Sequence, residues 1–239
     1  MIASRGRTTA IAAAVVTIVV ILAGIVACHG YLLETYFIWK LDSKDQRVRR
    51  MAHSWLGEHK SVRAVPHLMR ILRSYEEIDP DAASATTLRA IGPPAVPALA
   101  EALRDPSFEL RHEIARILRR MGPQAKDAVP ALAEALGVKG GVLRKKAAEA
   151  LWAMGPEARG AVPALIRGLR VDNRGPGEDL FQIACSRALG SMGSDAREAI
   201  PALEERTRDE DPGVRDAAAQ ALEHIRSGKP GIPGTRSDE

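Results

Sequence analysis

Apolar residues recur at helical spacing in one stretch after another. Over residues 108–121, Leu110, Ile114, Ile117, Leu118 and Met121 stand at offsets 0, 4, 7, 8 and 11, which is one face of a 3.6-residue helix. Leu143, Ala147, Ala150, Leu151 and Met154 repeat that spacing one unit later. These amphipathic stretches close on Met-Gly or Ile-Gly. At Gly122-Pro123 and Gly155-Pro156 the glycine predicts a left-handed cap and the proline bars continuation. A short polar turn follows, and then a second apolar motif, seen as Val65-Pro66-His67, Val96-Pro97-Ala98, Val129-Pro130-Ala131, Val162-Pro163-Ala164 and Ile200-Pro201-Ala202. Its prolines step by 31, 33, 33 and 38 residues. A period in that range predicts helix pairs stacked into a solenoid instead of a single globular core. We expect an all-helical rod of about six pairs, with no strand between residues 60 and 226.

The first thirty residues obey a different pattern. Between Arg7 and Glu34 there is no Lys, Arg, Asp or Glu, and Thr8 to Cys28 is almost wholly Ala, Val and Ile. About 20 such residues suffice for a helix across a bilayer. With the Arg5-Gly6-Arg7 head in front, the segment reads as a retained single-pass anchor, and it also fits a cleaved secretory signal. Ile25-Val26-Ala27-Cys28 resembles the lipobox of bacterial lipoproteins, which would leave Cys28 acylated at a new N-terminus. Lipoproteins carry a polar tether after that cysteine, whereas residues 31–40 continue apolar and aromatic, with Tyr31, Tyr36 and Trp39 suited to a membrane interface. Residues 1–7 are thus a basic head, 8–30 a membrane segment and 31–226 the repeats, the first pair running on from the membrane segment. Residues 227–239 are a disordered tail. Arg5 and Arg7 favour an N-terminus in the cytoplasm and the repeats outside it.

Composition adds polarity to the rod. The net charge is +4, yet residues 40–73 hold nine Lys/Arg against Asp42, Asp45 and Glu58, while residues 195–226 hold five Arg against nine acids. The chain is basic near its beginning and acidic at its far end. Aromatics are only 4% of residues, which suits thin helices packed through Ala and Leu. Two cysteines, Cys28 and Cys185, cannot build a disulfide framework or a zinc site.

The Val-Pro-Ala-Leu starts, the Met/Ile-Gly-Pro ends and the pairs Val48-Arg49, Leu110-Arg111, Leu143-Arg144 and Val214-Arg215 resemble HEAT repeats, in particular the phycobilisome-lyase type common in bacteria. The resemblance spans residues 31–226 and implies a right-handed α-solenoid, here preceded by a transmembrane helix. It also implies that each paired Arg meets an acid of a neighbouring unit, with Asp42, Asp105, Asp172 and Asp209 as partners. Asp81 and Gln182 stand where Arg is expected, so the ladder should break there.

Chemistry is sparse. His112-Glu113 sits where the HEAT-repeat deoxyhypusine hydroxylase carries iron-binding His-Glu pairs. The equivalent positions here are Arg50-Met51, Ala82-Ala83, Lys145-Lys146, Ile183-Ala184 and Asp216-Ala217, and one pair cannot build a di-iron site. No nucleophile with a base, phosphate loop or zinc-binding His-Glu-x-x-His pattern occurs, and His53 and His59 read as surface groups. A bilin lyase activity finds no residue to carry it. Arg116, Arg119, Arg120, Arg144, Lys145 and Lys146 make a basic patch on two adjacent second helices, but the acidic last unit and the scarcity of stacking aromatics argue against nucleic acid. We therefore expect no catalysis and no cofactor or metal, and a scaffold for a protein partner. With the apolar stripe inward, His112, Arg116 and Arg119 point outward, and register puts Lys145, Glu149 and Trp152 on the matching stripe of the next unit. Second helices line the concave face in the resembled family, so this stripe is the expected contact surface, with Trp152 its anchor. The insertion Val171 to Gly177 accounts for the longest proline step.

Overall fold

Proline sets where the second to sixth pairs begin. Pro66, Pro97, Pro130, Pro163 and Pro201 all lie in the first turn of a helix, where an N–H has no intrahelical acceptor to lose and the fixed φ suits the helix. The computed structural model describes residues 29–74, 83–138, 141–171 and 177–231, and among these there are helices and turns but no strand. First helices are α1 (residues 29–40), α3 (Val65–Arg73), α5 (Val96–Ala102), α7 (Val129–Ala135), α9 (Val162–Leu169) and α11 (Ile200–Arg206). Second helices are α2 (Gln46–Glu58), α4 (Ala83–Ile91), α6 (Phe108–Met121), α8 (Gly141–Met154), α10 (Glu178–Ser191) and α12 (Pro212–Ser227). The six pairs stack in chain order. Second helices pack along one another, α6 on α8, α8 on α10 and α10 on α12, while first helices meet more sparsely.

Both apolar stripes face the interior. Leu110, Ile114, Ile117, Leu118 and Met121 are buried, as are Leu143, Ala147, Ala150, Leu151 and Met154. Small residues set the spacing: a Cβ at Gly190 of α10 would stand 3.0 Å from Ala221 Cα of α12. Side-chain oxygens of Asp45, Ser107 and Asp211 cap α2, α6 and α12 by accepting the N–H of Arg47, Leu110 and Val214. At the other end, Gly122 has φ 56 and ψ −134, so it is not the left-handed cap expected from its place after Met121. Its backbone is mirror-extended, a region open essentially to glycine, and it turns the chain into the 3-10 turn that leads to α7.

The arginine ladder differs from its expected form. Arg49 Nη1 donates to the carbonyls of Ser43 and Lys44, and Arg215 Nη1 to those of Asp209 and Glu210, so these arginines staple the loop before their own helix. Asp42 instead pairs with His67 and Arg70, Asp105 with Arg73, and Asp209 with Arg206. Asp81 and Asp172 lie outside the described residues. Gln182 does not break the series, because its Nε2 donates to Val171 O at 3.2 Å and staples its loop as the arginines do. Arg144 does reach the next unit, donating from Nη1 to Glu178 Oε2 at 3.1 Å while its Nε donates to Leu136 O of its own loop.

The N-terminal reading is corrected. Among the described residues no helix is long and apolar enough to cross a membrane, and the segment 8–28, with Cys28 in it, lies outside them. A single-pass anchor is therefore not carried forward. What is described of this region, α1, is the first helix of the first pair. Glu34 accepts a hydrogen bond from Ser61 Oγ and pairs with Arg63 at 2.8 Å, and Phe37 stacks on Trp55 with centroids 4.6 Å apart. Tyr31 and Trp39 stay exposed and carry cations on their rings, Arg63 on the first and Lys40 on the second.

His53 is buried, contrary to its reading as a surface group, because α4 lies across α2 at that point. Its Nδ1 meets Thr87 Oγ1 at 3.0 Å. Burial, and then the charge of Arg49, lower its pKa to about 4 from 6.5. The folded state thus holds a neutral imidazole while the unfolded chain protonates it near pH 6.5, so stability present above that pH falls as the pH drops from 6.5 towards 4. The loss grows to about 3 kcal/mol once the pH is below 4 and both states are protonated. Urea titrations at pH 7.5 and 4.5 should reveal it, and His53→Asn should flatten the difference between them.

Candidate partner-binding face

Residues one turn off each buried stripe form the outer surface of the second helices. On α6 these are His112, Arg116 and Arg119, and on α8 Lys145, Glu149 and Trp152. All are partly buried except Arg119, which is exposed. Glu149 is the hub: Arg119 Nη1 crosses the seam between units to reach it at 3.0 Å, Lys146 Nζ lies at 3.1 Å and Lys145 Nζ at 3.7 Å. Burial opposes its ionisation, but the hydrogen bonds and charge of Lys146 and Arg119 outweigh that and hold its carboxyl below the usual range. Arg116 forks onto Glu113 one turn earlier, at 2.6 and 2.8 Å.

His112 lies beside Phe108, with ring centroids 6.3 Å apart, between these two acid–base sets. Burial and then Lys146 and Arg116, opposed by Glu113 and Glu149, lower its pKa, so the imidazole is neutral at pH 7. Glu113 has both oxygens on Arg116, and among the described residues no group of His, Cys, Asp and Glu converges to hold a metal ion. Arg144 leaves the basic patch altogether. It is buried, pairs with Glu178 and lies 3.9 Å over the Phe181 ring. Trp152 is less free than its register suggests, since part of its ring packs against the hydrophobic core.

Glu113 and Lys146 belong to the cluster too, although the sequence placed Glu113 only in a possible iron pair and Lys146 only in the basic patch, not on the partner face. Both lie three residues from a partner on the same helix, Glu113 from Arg116 and Lys146 from Glu149, which is the signal that finds them. The face changes sign only at α12: on α10 Arg187 is exposed and the next position is Gly190 packed against Ala221, whereas the matching α12 positions carry exposed Asp216, Gln220 and Glu223, with exposed Arg226 at the helix end.

A family model described as HEAT repeats matches residues 65–152, 96–177 and 176–231. The chain belongs to the HEAT repeat family. No curated protein matches this HEAT-repeat chain at the sequence level. Among solved structures it is similar to the phycocyanin lyase CpcE–CpcF complex from Nostoc sp. PCC7120, with TM-score 0.53 and 20% identity over 67% of this chain and 99% of that one. It is similar to an engineered protein, with TM-score 0.50 and 22% identity over 82% and 97% of the two chains. It is also similar to computationally designed armadillo repeat proteins for modular peptide recognition, with TM-score 0.50 and 16% identity over 80% and 98%. At these identities the likeness shows an α-solenoid of HEAT or armadillo type, and the chemistry of each neighbour stays its own.

Proposed function

We propose that this HEAT-repeat chain is a protein-interaction scaffold that grips an extended partner segment on its second-helix face. The observation that carries the reading is the Arg119–Glu149 bridge at 3.0 Å, which joins the polar stripe of one unit to that of the next. The second helices pack along one another more closely than the first helices do, which supports reading this face as the concave one. Designed armadillo repeat proteins of the same fold are built for modular peptide recognition, and that supports reading the face as a peptide track. Its charge runs from basic on α6 and α8 to acidic at Asp216 and Glu223 on α12, so the favoured partner has the opposite polarity. Trp152, anchored in the core by part of its ring, offers the remainder as a rigid contact. The reading assigns no catalysis. Cys185, the natural nucleophile to consider, is fully buried and its thiol is pushed up by that burial, further from the reactive thiolate.

A photo-crosslinker placed at position 116 should capture a defined partner in cells that the same group at exposed position 101, on a first helix, does not. With that partner purified, Arg119→Ala should weaken binding by about tenfold while moving the thermal melt by no more than about two degrees. Trp152→Ala should lower both. Unchanged affinity in both variants would sink the face as the binding surface.

A further inference from the structure

A second surface lies away from that face, on the edge where loops join first helices to second. Glu178 and Asp179 at the start of α10, Glu205 in α11, and Asp209, Glu210 and Asp211 before α12 line a crevice of about 540 Å³, with Arg206 and Arg208 as the cations of its wall. Several of these groups build the loop. Arg206 Nη1 pairs with Asp209 at 2.8 Å, Asp209 Oδ1 accepts the N–H of Asp211, and Asp211 caps Val214. Gln182 turns its amide to Val171 O and closes the wall. Asp179 and Glu205 are exposed and enter no ion pair among the described residues.

Glu178 decides what the crevice is for. It is only 6% exposed, and its Oε2 accepts from Arg144 at 3.1 Å, yet its Oε1 is buried with no hydrogen-bond partner. An unmet acceptor on a buried carboxylate is costly and rare. Glu178 thus brings to the crevice wall a carboxylate whose second oxygen is covered and lacks a donor, and the wall also carries the uncommitted carboxylates of Asp179 and Glu205. These acids do not converge as metal ligands do. A guanidinium suits them better: it is planar, carries five N–H donors and is more weakly hydrated than an ammonium, so it can fill one buried acceptor and span to its neighbours. The crevice has room for more than one side-chain head and falls in the size range of pockets that hold extended ligands.

We propose that this crevice between the fifth and sixth pairs binds an arginine side chain of a basic peptide segment. Asp179 and Glu205 receive guanidinium N–H groups at the surface, and Glu178 Oε1 takes another once its carboxylate turns outward to the crevice. This site is independent of the second-helix face, so either can fail alone. The test uses the full chain and a fluorescent glycine-flanked peptide with two arginines, read by anisotropy against its lysine twin and against free arginine as competitor. The arginine peptide should bind saturably and at least about fivefold more tightly than the lysine twin. Binding should weaken about tenfold in Glu178→Gln and in the double variant Asp179→Asn/Glu205→Gln, and stay unchanged in Arg119→Ala. Should Glu178→Gln fail to fold, the double variant decides, because both its positions are on the surface. Equal binding of the lysine twin, or unchanged binding in the double variant, would overturn the site. Free arginine competing as well as the peptide would overturn the peptide as its occupant.

Discussion

Phe181→Ala is expected to lower the stability of the chain by about 3 to 5 kcal/mol, measured by urea denaturation. Phe181 is among the largest fully buried side chains, in a core otherwise made of aliphatic residues, Met and Cys185. It occupies a slot shaped for it. Gly168 on α9 leaves space that a Cβ would close to 2.8 Å from Phe181 Cζ and 3.0 Å from Cys185 Sγ, and the Arg144 guanidinium covers one ring face at 3.9 Å. Truncation removes the ring's contacts between α9 and α10 and opens a cavity that small neighbours cannot fill. Because each pair in a solenoid contacts only the next, the damage should stay local, and the last two pairs should unfold ahead of the rest in a separate step. Hydrogen exchange would locate that step. One cooperative transition at the wild-type midpoint would contradict the assigned packing. Gly168→Ala offers a cross-check, since it should cost stability in the wild type and less, or nothing, in the Phe181→Ala background.

The stack was legible because a solenoid writes its geometry into spacing. The proline steps located the first helices, and the offsets of Leu110 to Met121 and Leu143 to Met154 named the buried faces. What failed was what spacing does not encode. The arginine that follows each apolar residue looked for acids in the sequence, but Arg49 and Arg215 bind backbone carbonyls, which every residue carries and no pattern marks. For the same reason Gln182 read as a break in the ladder although it holds the same kind of acceptor. Gly122 announced a positive φ, while its ψ is set by the turn it enters and was read wrongly as a left-handed cap. His53 carried no sign of burial, because the α4 residue it meets, Thr87, is 34 positions away. On the candidate face, register alone brought His112, Arg119 and Glu149 to one surface. It could not tell that Trp152 leans on the core, since that depends on how the neighbouring helices lie against α8.

Arg144→Ala should be as damaging as loss of Phe181, about 3 to 5 kcal/mol, for a different reason. Both members of the Arg144–Glu178 pair are about nine-tenths buried, at 11% and 8% side-chain exposure. Glu178 Oε2 takes Arg144 as its donor and Oε1 has none, so removing the arginine leaves a buried carboxylate with no compensating charge. The Leu136 carbonyl loses the Nε donor, and the Phe181 ring loses its cation. Most of the cost is thus the stranded charge and not the attraction that was lost, and the two can be separated. In Arg144→Met/Glu178→Leu both charges are gone and apolar volume is kept, so stability should return to within about 1 kcal/mol of the wild type. Recovery of that size would mean that the pair contributes little net stability. Its role would then be to fix the register of α8 against α10 and to hold Glu178 at the edge crevice. If the double variant is as unstable as Arg144→Ala alone, the pair and its hydrogen bonds supply net stability themselves, and the stranded-charge account is wrong.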